Sequence, residues 1–103
     1  MTTFALVHGA YGRGAYWAPL VAELEARGHR ALAPDLPIED RDATFDDYAA
    51  AVGPCDHVVG HSMGGVTAAL VAGRRGVPVT YVAAVVPRPG RPLTEVLSEA
   101  IAP

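Results

Sequence analysis

The sequence is poor in several things, and each shortage narrows its reading. It holds one cysteine, Cys55, so no internal disulfide is possible and a reducing compartment is expected. It has no run near the roughly 18–20 apolar residues of a membrane helix. The start, MTTFALVHG, has no basic segment and too short an apolar run for a signal peptide. A soluble, cytoplasmic protein is expected. Positive charge is also scarce: the formal net charge is -3, which argues against nucleic acid or an anionic membrane as a main partner. Metal-ligand clustering is missing, because the four histidines are scattered and no paired cysteine occurs. No metal and no organic cofactor are expected. Internal repeats and low-complexity tracts are absent.

What is present is a single domain's worth of core-forming chain. Half of the 103 residues are apolar, and the composition is neither collagen-like nor disordered. TFALV (residues 3–7) is nearly unbroken apolar, as in a strand buried on both faces. HGAYGRGAYW turns the chain, and Trp17, Leu20, Val21 and Leu24 then follow at helical spacing. Gly28 is expected just past that helix end. RALAPDLP reads as a second strand, halted by Pro34 and Pro37. Thr44 and Asp47 form a capping-box pattern ahead of a stripe of Phe45, Tyr48, Ala49 and Val52. The acidic stretch Glu39–Asp47 is either a solvated loop and helix start or a docking patch. HVVGHS is a third strand, GGVTAALVAGRR a third helix and VTYVAAVV (79–86) a fourth strand. PRPGRP is a loop, and LTEVLSEAI a short amphipathic helix.

Strand and helix alternate throughout, so βαβ units and a mostly parallel sheet with flanking helices are expected. The simplest strand order is 2-1-3-4. Ligands of open α/β sheets bind where strand order reverses, here between strands 1 and 3. That places HGAYGRG and GHSMGG side by side. Gly60-His61-Ser62-Met63-Gly64 matches G-x-S-x-G, a strand-to-helix bend that lifts a serine hydroxyl above a sheet. A serine in an ordinary glycine-rich turn is the plainer alternative. A dinucleotide site is disfavoured, because Gly12 and Gly14 have G-x-G spacing but Trp17 stands where the third glycine belongs.

FALVHGAYGRGAYW, LEARGHRALAPDLP and VVGHSMGG together resemble the α/β-hydrolase fold, and more narrowly its small esterases and hydroxynitrile lyases. The resemblance implies that Ser62 is the nucleophile. It implies oxyanion donors at the N–H groups of Ala10 and Met63. His8, Gly9, Tyr11, Trp17 and His61 would border the substrate pocket. Core packing is the alternative for Tyr11 and Trp17. His8 would shape the oxyanion loop, and His61 would face away from the reacting carbonyl by strand alternation. Asp35 would be structural. A small-molecule substrate is implied.

The family order is serine, then acid, then histidine. No histidine follows Ser62. Glu95 and Glu99 lie on the last amphipathic stretch and read as solvated helix charges. The chain therefore resembles the N-terminal half of a hydrolase, apparently truncated, with residues 1–103 a single partial domain and a lid segment starting about 87–103. His8 is the only upstream candidate for a substitute base. A non-catalytic remnant, or a domain that binds a small ligand, is the alternative function. The fourth strand would be a bare apolar edge, and pairing of two such edges (79–86) into a homodimer is one escape.

Overall fold

The computed structural model describes residues 1–88 and 90–92. The helix expected over 93–101, the two glutamates on it and most of the segment assigned to a lid lie outside those residues. Four parallel strands form one sheet in the order β2-β1-β3-β4, as the alternation of elements predicts. They are β1 (Thr3–Val7), β2 (Arg30–Leu32), β3 (His57–His61) and β4 (Val79–Val82). Register runs Phe4 to His57 through Val7 to Gly60 between β1 and β3, and Val58 to Val79 through His61 to Val82 between β3 and β4. The central strands β1 and β3 therefore end level with one another, and their exit loops meet.

Helix α2 (Phe45–Ala51) and helix α3 (Gly64–Arg75) pack together over one face. Ala5 and Val7 of β1, Val58 of β3, Leu36, Val52 and Ala49, and Ala68 and Val71 of α3 form the core there. Leu6 and Val59 alternate with these strand residues, so they point to the other face, and they are buried too. Helix α1 (Ala18–Ala26) packs along β2 and touches neither α2 nor α3. Two-sided burial is why the middles of β1 and β3 carry apolar residues on both faces.

Local chemistry sets the helix ends. The Thr44 hydroxyl accepts from the Asp47 N–H at 3.3 Å while the Asp47 carboxylate accepts from the Thr44 N–H at 2.8 Å, the reciprocal box predicted for α2. At the other end of α2, the Arg75 guanidinium donates to the carbonyls of Gly53, Ala49 and Val52 at 2.8, 3.2 and 2.8 Å. A residue from α3 thus caps α2. Gly28 follows α1 with φ 84, the left-handed turn anticipated there.

Two elements differ from the sequence reading. The first turn of the expected first helix is a 3₁₀ turn, Gly14–Trp17, so Trp17 precedes α1 instead of riding on it. Pro19, in the opening turn of α1, lacks the N–H that a continuous helix would need further in. The fourth strand stops at Val82, because Ala83 has φ 44 and bends the chain out of the sheet. Homodimerisation through residues 79–86 would therefore join four-residue edges, half the length expected.

Candidate active site

The site begins with one backbone angle. Ser62 directly follows β3 with φ 53, in the left-handed region that L-residues rarely adopt. Its carbonyl accepts from the Gly65 N–H at 3.0 Å, closing the first turn of α3. The same carbonyl accepts from the Val85 N–H at 2.9 Å, and the Ser62 N–H donates to the Val82 carbonyl at 3.4 Å. The strained serine is thus gripped from both sides of its own turn.

Glycine is needed on either side because the backbones nearly touch. A Cβ on Gly64 would lie 2.5 Å from the Val7 carbonyl oxygen and 2.6 Å from that of His8. One on Gly60 would lie 2.8 Å from the Ala68 Cβ and from the Gly64 carbonyl oxygen. The start of α3 therefore sits against the end of β1. A Cβ built on Gly9 falls 3.2 Å from the Ser62 Cβ and 3.6 Å from its Oγ, which puts the two glycine-bearing loops in contact.

His8 organises the other loop. It is 3% exposed, and its Nε2 accepts from the Leu36 N–H at 2.9 Å. That nitrogen carries no proton, so Nδ1 is the donor and gives its hydrogen to the Gly9 carbonyl at 2.7 Å. Both ring nitrogens are engaged. Asp35 accepts from the Gly14 N–H at 2.8 Å and ties the exit of β2 to the same loop. Among the described residues, the N–H groups of Ala10 and Met63 make no backbone hydrogen bond.

A cleft of about 740 Å³ opens between these loops. Ser62 lines it together with His8, Gly9, Ala10, Tyr11, Trp17, His61 and Met63, so all the residues expected at the site share one cavity. Tyr11 stands on the surface, 95% exposed. Trp17 is half-buried and packs edge-on against His61, with ring centroids 6.2 Å apart. His61 was expected to face away by strand alternation. His61 and Ser62 both line the cleft, and the chain leaves β3 at Ser62 in the left-handed turn. Tyr16, Gly12 and Val82 also line it and were not singled out from sequence.

The remaining histidines lie elsewhere. His29 Nδ1 accepts from the Thr2 N–H at 3.0 Å, and the His57 Nε2 is 2.7 Å from the Thr80 hydroxyl. Their rings flank Phe4 at the start of β1, the opposite end of the strand from the Ser62 cleft. Among the described residues no group of three or more His, Cys, Asp or Glu could hold a metal ion. No helix among them is long and apolar enough to cross a membrane.

The fold of this chain is shared with known proteins. The model of the alpha/beta hydrolase family matches residues 4–102. The chain belongs to that family. It is 35% identical to Esterase PIR7B of Oryza sativa subsp. japonica, over 85% of this chain and 40% of the relative. It is 33% identical to a pyrethroid hydrolase of Sphingobium wenxiniae, over 87% of this chain and 38% of the relative. Among solved structures, that of polyneuridine aldehyde esterase superposes with a TM-score of 0.78 at 28% identity, covering 96% of this chain and 46% of that one. The chain thus spans less than half the length of each of these relatives.

Proposed function

We propose that this chain carries the nucleophile-bearing part of a serine hydrolase that acts on a small ester or related carbonyl substrate. One observation carries the reading: Ser62 stands at φ 53 between β3 and α3, in a cleft where the Ala10 and Met63 N–H groups are unspent. In this reading the turn at Ser62 is a nucleophile elbow, and the two N–H groups form an oxyanion hole. Kinship with an esterase and a pyrethroid hydrolase supports it. A cytoplasmic setting belongs to the same reading, on the strength of the single cysteine.

The chemistry is nucleophilic acyl transfer. Ser62 Oγ bonds to the substrate carbonyl carbon, and the π electron pair moves onto the carbonyl oxygen. The Ala10 and Met63 N–H groups donate to that oxyanion. A base takes the serine proton and returns it to the departing alcohol as the C–O bond breaks, and water then hydrolyses the acyl-enzyme.

Among the described residues no base is in place beside the Ser62 hydroxyl. His8 is unavailable, because both its nitrogens are committed to backbone groups. His61 borders the cleft, but among the described residues no histidine is hydrogen-bonded to the Ser62 hydroxyl. Removing the histidine from a serine triad costs about a million-fold in turnover and leaves roughly a thousand-fold over water. The chain alone is expected to turn over slowly or not at all. The commitment of His8 equally favours a second reading, a domain that binds a small ligand without catalysis.

Hydrolysis of nitrophenyl acetate by this chain and by Ser62→Ala separates the two. A faster wild type, with Ser62 labelled by a serine-reactive phosphonate, supports the hydrolase reading. Equal inertness of two folded proteins, with no labelling, supports the binding reading.

A further inference from the structure

A second cavity, of about 470 Å³, shares the wall formed by His8, Gly9, Ala10 and Met63 with the Ser62 cleft. Its other sides come from α2, α3 and the segment before α2, with Leu36, Phe45, Tyr48 and Thr67 among the lining residues. Its volume lies within the roughly 300–1,000 Å³ range of small-molecule sites. It far exceeds the space of about 30 Å³ that one water takes in the liquid.

Two observations define what suits it. Among the described residues no aspartate, glutamate, lysine or arginine lines it, and the His8 ring has both nitrogens bound to backbone groups. A charged ligand would lose its hydration with no counter-charge in return. The second observation is Thr67. It is 1% exposed, and its Oγ1 has no hydrogen-bond partner among the described residues. A helical threonine ordinarily gives its hydroxyl to the carbonyl one turn back, and this one does not. A buried hydroxyl without a partner is unfavourable and points to a missing group.

We propose that this cavity binds a small, uncharged, mainly apolar molecule whose single carbonyl or ether oxygen accepts a hydrogen bond from the Thr67 hydroxyl. The shared wall carries Ala10 and Met63, whose N–H groups face the reacting carbonyl in the mechanism above. The occupant is therefore the non-reacting arm of the substrate. This last step rests on the hydrolase reading; the binding itself does not.

The test is titration of the ¹⁵N-labelled chain with acetophenone, a neutral ketone that cannot be hydrolysed, and with benzoate, which has the same ring and a charge. Acetophenone is expected to shift the amides of Ala43, Tyr48 and Thr67 saturably, with benzoate ineffective at the same concentration. Thr67→Val is expected to weaken acetophenone about five- to tenfold, while Thr67→Ser keeps it. Shifts confined to Tyr11, Trp17 and His61 would overturn the proposal, as would undiminished binding by Thr67→Val. Should Thr67→Val not fold, the wild-type shift map decides alone. Phosphonate labelling of Ser62 in the same sample keeps the two readings apart. Labelling without acetophenone shifts removes the pocket and leaves the hydrolase. Shifts without labelling keep the pocket and remove the substrate arm.

Discussion

The Leu36 N–H donates to His8 Nε2 at 2.9 Å, so a loop residue after β2 fixes the protonation of a ring at the end of β1. The ring passes that order on through its Nδ1–H to the Gly9 carbonyl. His8→Phe would fill similar space but strand both backbone groups. A loss of about 1–3 kcal/mol in urea unfolding is expected. The ¹⁵N spectrum of the neutral ring in wild type is expected to show the proton on Nδ1; a neutral ring protonated on Nε2 would contradict this assignment.

Gly64 and Gly73 lie on the same helix and predict opposite signs. A Cβ at Gly64 would press on two carbonyl oxygens of β1 and its exit, neither of which can rotate away. Gly64→Ala is expected to destabilise by at least about 1–3 kcal/mol. Gly73 has open space around it and sits inside α3. Gly73→Ala is expected to stabilise by roughly 0.5–1 kcal/mol through the restricted unfolded chain. Thermal melts of the two variants check both.

Arg74 and Arg75 are neighbours with unequal parts. Arg74 pairs with Asp46 at the surface, a contact of the kind worth about 0–1 kcal/mol. Arg75 holds the last carbonyls of α2. Arg75→Ala is expected to cost about 1–2 kcal/mol, more than Arg74→Ala, and to speed amide exchange at the end of α2. Equal losses would show that the cap is idle.

Cys55 should be a slow thiol. Burial raises its pKa above the usual value, and the neighbouring Arg75 only partly opposes this. Its reactive thiolate is thus scarcer at neutral pH than that of an exposed cysteine. Disulfide-reagent labelling is expected to lag behind that of a free thiol and to accelerate in urea. Because the folded state holds the thiol proton more tightly, this group favours folding below its unfolded pKa. That contribution fades as pH rises through the raised folded value.

The sheet order was legible because the apolar runs of β1 and β3 alternate with glycine-led helices, and few topologies accommodate that. The capping box at Thr44 and Asp47 was equally readable, being local. The end of β4 was not. VTYVAAVV carries no glycine or proline before Pro87, and the bend falls on Ala83, a residue with no turn signature. The second cavity left one trace, Thr67, the sole hydroxyl in an otherwise aliphatic stretch of α3. It reads as an ordinary helix residue until its burial and missing partner are seen.

The Val85 N–H holding the Ser62 carbonyl has a mechanical consequence. The serine's unfavourable backbone angle is not self-supporting; it is clamped by chain that has already left the sheet. A pull, a graft or a partner acting just beyond β4 is thereby transmitted to the serine at the turn. The strand exit is a lever on the serine, although neither Val85 nor Ala83 lines the cleft.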